Sequence, residues 1–119
     1  MKRGRPKVSA AGSGKFFLFF VTGPENDMKE LSKRLVEERL AACVNVIDKI
    51  KSVYWWEGRI SEDAESLLII KTESSKVQEL IEFVRRNHPY KVPEVIGIEV
   101  SVGNPEYLNW ILESLSSKI

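Results

Sequence analysis

Ser52-Val53-Tyr54-Trp55-Trp56-Glu57-Gly58-Arg59-Ile60 decides how the rest of the chain is read. Three adjacent aromatics run into Glu57-Gly58, then comes a polar run from Ser61 to Glu65 and a second apolar segment, Ser66-Leu67-Leu68-Ile69-Ile70. Aromatic and β-branched residues on both sides of a charged, Gly-containing break predict a β-hairpin. Its arms are expected from about Cys43 to Trp56 and from about Glu62 to Thr72. Arms of that length expose backbone N–H and C=O groups that must be covered or paired with another chain. The hairpin therefore predicts an assembly before it predicts a catalyst.

Toward the N-terminus, Phe16 to Val21 is apolar throughout, which suits a central strand buried on both faces. Thr22 to Asp27 supplies turn and capping residues. Met28, Leu31, Leu35, Val36 and Leu40 then mark one face of a helix running to about Arg39. Toward the C-terminus, Ser75-Lys76-Val77-Gln78 matches a capping box. Val77, Leu80, Ile81 and Val84 continue it as a second helix ending near Asn87, ahead of Pro89. Val92 to Val102 has a strand pattern interrupted by Gly97. Asn104-Pro105-Glu106 opens a third helix with apolar Tyr107, Leu108, Ile111, Leu112 and Leu115, and Trp110 on its flank. The order β-α-β-β-α-β-α predicts an α+β, ferredoxin-like fold, an antiparallel four-stranded sheet with helices on one face. The other face is left bare and needs a partner.

The chain of 119 residues is expected to form one domain over 15–119, and its 43% apolar and 29% charged content suits a soluble globular protein. Its net charge of +1 conceals a division. Lys2, Arg3, Arg5, Lys7 and Lys15 fall in the first 15 residues with no acid among them, so a basic tail precedes an acidic body. Residues 1–14 are expected to be disordered, and part of them is compatible with appended, non-native sequence. Arg3-Gly4-Arg5-Pro6 resembles the core of an AT-hook, but four residues are too short to set against a solvated tail, and nucleic acid is not expected as a partner. The lone Cys43 excludes an internal disulfide and fits a reducing, cytoplasmic location. No apolar run approaches the roughly 20 residues that span a bilayer, so no membrane segment is expected.

Catalytic constellations are thin, and no enzyme is expected. There is one His and one Cys, with no phosphate-binding Gly loop. A Cys43–His88 dyad is conceivable, but apolar neighbours favour Cys43 as a small buried thiol. His88-Pro89-Tyr90-Lys91-Val92-Pro93-Glu94 is more suggestive, a stiff segment presenting an imidazole, a phenol and a carboxylate. His88 and Glu94 form the candidate metal pair for Cu²⁺ or Zn²⁺. The simpler role for His88 is to cap the carbonyls of the preceding helix. Tyr54, Trp56, Lys71, Tyr90 and Trp110 are the candidates for a subunit seam or cleft, because interfaces enrich for Tyr and Trp. Burial of Trp56 at such a seam would make Trp56→Ala cost about 3–5 kcal/mol.

Several stretches together resemble the CutA divalent-cation tolerance proteins: Glu37 through Asn45 (EERLAACVN), Tyr54-Trp55-Trp56-Glu57-Gly58, Ile70-Lys71-Thr72, the 88–94 segment, and Tyr107-Leu108-Asn109-Trp110. The resemblance runs from about residue 16 to about 115. It implies a ferredoxin-like protomer in a homotrimer whose long hairpins pair across subunits. It also implies a role in tolerance of copper and other divalent cations, with no tightly bound cofactor and no established catalysis. The copper site of some bacterial members combines a thiol in the first strand, a His just before the His-Pro-Tyr segment, and the following Glu. The matching positions here are Val21, Asn87 and Glu94. An alternative, by fold analogy with nitrogen-regulatory signalling trimers, is a ligand sensor in which Lys71, Arg59 and His88 meet a small anion at subunit clefts.

Overall fold

The first strand, β1 (Phe16–Gly23), alternates between two environments. In the computed structural model, which describes residues 15–116, Phe19 and Val21 are buried beneath helices while Phe16 is buried on the opposite face. Helix α1 (Glu25–Glu37) follows, with Pro24 in extended geometry at its cap and Glu25 and Asp27 in the first turn, where acids suit the helix dipole. It buries Met28, Leu31 and Leu35. The helix ends two residues short of Arg39, which takes a left-handed φ of 61°. There the Leu40 N–H bonds back to the Leu35 carbonyl at 3.0 Å, as in a Schellman-type stop.

The hairpin is longer than its sequence pattern suggests. Strand β2 (Cys43–Trp56) and strand β3 (Arg59–Glu73) are joined by Glu57-Gly58 alone, so the second arm begins at Arg59 rather than near Glu62. Glu57 and Gly58 have φ of 51° and 77°, the pair of positive values that a two-residue type I′ turn requires. That turn brings Arg59 to Ser61 into the strand ahead of the polar residues Glu62 to Glu65. A bulge interrupts β2 between Ile47 and Ile50, with Lys49 at φ 63° and the Ser66 hydroxyl donating to Asp48 at 2.6 Å.

A 3₁₀ turn (Ser74–Lys76) precedes helix α2 (Val77–Asn87). The expected capping box does not form: the Ser75 hydroxyl donates to Glu73 at 2.6 Å, and Lys76 occupies the cap without a side-chain bond. Strand β4 (Val95–Val100) is shorter than the 92–102 pattern, since Pro93 and Val102 lie outside the ladder. Helix α3 (Pro105–Ser116) starts as expected, with Asn104 Oδ1 accepting from the Glu106 N–H at 3.0 Å.

The sheet order is β2-β3-β1-β4, antiparallel throughout, which is the ferredoxin-like α+β arrangement. Helices α1 and α2 cover one face over Phe19, Val21, Leu68 and Ile70. Helix α3 lies on the other face at one end, over Phe16, with Ala42 and Val100 packed alongside. The rest of that second face is open. Across it Phe20 pairs with Ile96 and Leu18 with Ile98, and those isoleucines are 59% and 55% exposed. Strand β1 meets β3 only from Ser66 to Glu73, so Arg59–Glu65 and its partners on β2 project as a two-stranded ribbon. The basic tail and its AT-hook-like residues lie outside the described residues. No helix among the described residues is long and apolar enough to cross a membrane.

Candidate functional site

Register places most of the candidate residues on the open face. Lys71 pairs with Leu18 and Cys43, and Tyr54 and Trp56 pair with Ser61 and Arg59, which share the face of Glu65 and Lys71 along β3. Two clusters form on this face, and a single chain does not bring them together.

The first cluster sits where the ribbon leaves the body. His88 is 8% exposed, and its Nε2 lies 2.8 Å from the Thr22 carbonyl. Its Nδ1 accepts from the Tyr90 N–H at 3.0 Å. An accepting Nδ1 carries no proton, so Nε2 carries it and donates to Thr22. His88 therefore caps the end of β1 and not the carbonyls of α2. Gly23 makes room for this ring, because a Cβ there would lie 2.7 Å from His88 Nε2. Glu94 also meets Thr22, through the threonine hydroxyl, which donates to Oε1 at 3.2 Å. The two candidate metal ligands thus share one residue, one on its carbonyl and the other on its hydroxyl.

Tyr90 packs its ring 4.7 Å from that of His88 and donates its hydroxyl to Glu65 at 2.5 Å. Glu65 is buried. Burial first, and then this bond to the Glu65 carboxylate, push the Tyr90 phenol well above the usual tyrosine range. Tyr54 donates to Asp63, and that hydrogen bond is the main cause of its own raised pKa. Asp63 and Glu65 stand two apart on β3 and so on one face, a spacing visible in the sequence of the second arm.

The second cluster lies toward the other end of the open face. Lys71 Nζ donates to Asn45 and lies 3.9 Å from Cys43 Sγ. Tyr107 has its pKa raised by burial and then by Cys43, and its ring stacks on Trp110 at 5.4 Å. Asn45 is not singled out as a site residue by sequence, and nothing there sets it beside the aromatic Tyr107. Only the register and the return of α3 join them. No Cys43–His88 dyad forms: Cys43 pairs with Lys71, itself opposite Leu18 on β1, whereas His88 meets Thr22, about 13 Å further along that strand. Arg59, twelve residues from Lys71 on β3, is about 40 Å away. A groove lined by Glu38, Arg39, Glu73, Lys76 and Glu113 lies elsewhere, and neither cluster reaches it.

The metal positions are occupied by other roles. Val21 is fully buried in the helix-covered core and has no donor atom. Asn87 donates Nδ2 to the Phe83 carbonyl at 2.8 Å and accepts Arg34 at 2.9 Å on Oδ1. Arg34 itself lies 5.0 Å over the Phe83 ring. Among the described residues no group of three or more His, Cys, Asp or Glu converges as a metal centre.

Residues 17–114 match the family model for the CutA1 divalent ion tolerance protein. The chain belongs to the CutA1 family. A mouse relative named Protein CutA is 51% identical over 109 residues, 89% of this chain and 62% of that protein. The Divalent-cation tolerance protein CutA of Thermus thermophilus is 43% identical over 95 residues, 79% of this chain and 92% of that protein. The crystal structure of CutA1 from Oryza sativa superposes with a TM-score of 0.83 at 46% identity, covering 86% of this chain and 94% of that one. The chain spans about three fifths of the length of its mouse CutA relative. The Thermus relative is named for tolerance of divalent cations, and none of these names is that of an enzyme.

Proposed function

We propose that this CutA-family chain acts in divalent-cation tolerance as a cytoplasmic homotrimer, its open sheet face and projecting ribbon buried against two further copies. The observation that carries the assembly is the apolar strip of Leu18, Phe20, Ile96 and Ile98, continued on the same face of the ribbon by exposed Trp56, with exposed Trp55 and Ile60 on the ribbon's other face. Each such side chain contributes about 1.5–3 kcal/mol when fully buried, so a few of them support a tight interface. In this reading Tyr54, Trp56, Lys71, Tyr90 and Trp110 line the clefts between copies. Divalent cations, Cu²⁺ among them, meet those clefts weakly through oxygen donors near Glu94. Cys43 as a free thiol suits a reducing cytoplasm. The anion-sensor alternative requires Arg59, Lys71 and His88 to come from different copies and has no further observation in its favour.

Sedimentation velocity at micromolar concentration tests the reading. The expected species has three times the chain mass of 13.6 kDa. A monomer would end it.

A further inference from the structure

The copper site implied by the family resemblance needs a thiol, an imidazole and a carboxylate, and the residues present do not fit it. Val21 offers no donor, and both ends of the Asn87 amide are engaged. His88 is the one imidazole in the chain, and each of its nitrogens is already used, Nε2 on the Thr22 carbonyl and Nδ1 by the Tyr90 N–H. A transition metal binds a neutral imidazole through a lone pair. The only lone pair available, on Nδ1, is filled by a backbone donor.

We propose that the 87–94 segment is a metal-free clasp, in which His88 holds the chain after α2 onto β1 and β3 and no transition-metal ion is resident. Its links run in series. The Thr22 carbonyl accepts from His88, His88 accepts from the Tyr90 N–H, and the Tyr90 hydroxyl donates to buried Glu65. Arg34 and the Phe83 carbonyl fix Asn87 just before the first link, and Thr22 holds Glu94 just after the last. Every polar side chain in this series has a partner within the chain. An ion that captured His88 would have to open the clasp, so it would favour the open form and weaken the fold.

The inference refines the cation-tolerance reading and rests on it only for the choice of ions. The test uses the full chain stripped of metal, with thermal midpoints measured in EDTA and in excess Zn²⁺ and calorimetric titration with Zn²⁺ and Cu²⁺. Wild type is compared with His88→Ala and His88→Gln. We expect the wild-type midpoint to be unchanged by EDTA and unchanged or lowered by Zn²⁺. We also expect no saturable heat that His88→Ala abolishes. In EDTA, His88→Ala should lower the midpoint by several degrees, and His88→Gln, whose amide still donates to Thr22, should recover part of that loss. Binding near one ion per chain that disappears in His88→Ala, or a midpoint that EDTA lowers and Zn²⁺ restores, would overturn the clasp. If His88→Ala does not fold, the wild-type midpoints in EDTA and Zn²⁺ decide alone. Sedimentation of the same samples separates the two readings: an EDTA-insensitive monomer sinks the trimer and leaves the clasp standing.

Discussion

Tyr90 joins a half-exposed phenol to a buried carboxylate, and its consequence is measurable at high pH. In the folded chain its pKa lies above the ordinary 10.0. Its contribution is therefore complete below pH 10. Above that the unfolded chain ionises first, and the contribution drains away as pH climbs toward the raised folded value. Alkaline melting curves should fall more steeply for wild type than for Tyr90→Phe, and parallel curves would contradict the bond. At neutral pH the same substitution should cost about 1 kcal/mol, because it leaves Glu65 short of a donor. Gly23→Ala should cost more, about 1–3 kcal/mol by denaturant unfolding, since its Cβ would press 2.7 Å from His88 Nε2 and 2.8 Å from Met28 Cε. His88 and Glu94 were legible in sequence as a polar pair worth attention. Their partner was not, because Thr22 lies 66 positions from His88 in the chain and no local pattern names it.

At the scale of elements, most of the fold was legible because hydrophobic periodicity and turn chemistry agree along nearly the whole chain. The Phe16–Val21 run, the two amphipathic helices and the Asn104-Pro105 start all appear where their patterns place them. The misplacements have physical causes. Arg59 to Ser61 look like part of the break because they adjoin Glu57-Gly58 and open a polar run, yet a two-residue turn pairs them at once, and the ribbon they form has no apolar core to match. Ser75 looks like a helix cap, but Glu73, itself buried, takes its hydroxyl first. The turn should be sensitive to backbone alone. Gly58 has φ 77° with nothing within 4 Å of an added Cβ, so Gly58→Ala should cost about 1–2 kcal/mol through conformation and not through crowding. Chemical denaturation of that variant measures it directly.

For the whole molecule, what a single chain leaves exposed is the most informative feature. Trp56 is 60% exposed, so the expected penalty of Trp56→Ala does not arise within the protomer. Any loss of about 3–5 kcal/mol must appear as weaker association. Ile98→Lys sharpens the point, since that side chain is 55% exposed and its loss removes little of the protomer core. It should abolish the proposed trimer in sedimentation while leaving the circular dichroism of a folded chain, and a variant that stays trimeric would argue against this face as the seam. The two clusters of the open face were only half legible. Aromatic residues flagged a seam, but the division into a Glu65–Tyr90 end and a Lys71–Cys43 end follows from register, which sequence does not display.

Strand β1 lies between β3 and β4, and both neighbours come later in the chain. Its apolar run is the first strand of the sheet in chain order, yet Phe16 finds its two ladder partners only at Glu73 and Val100. During synthesis the stickiest strand therefore waits, unpaired, for most of the domain to emerge. Nascent chains halted before β4 should be the ones that recruit chaperones or aggregate, because the centre of their sheet still has an open edge.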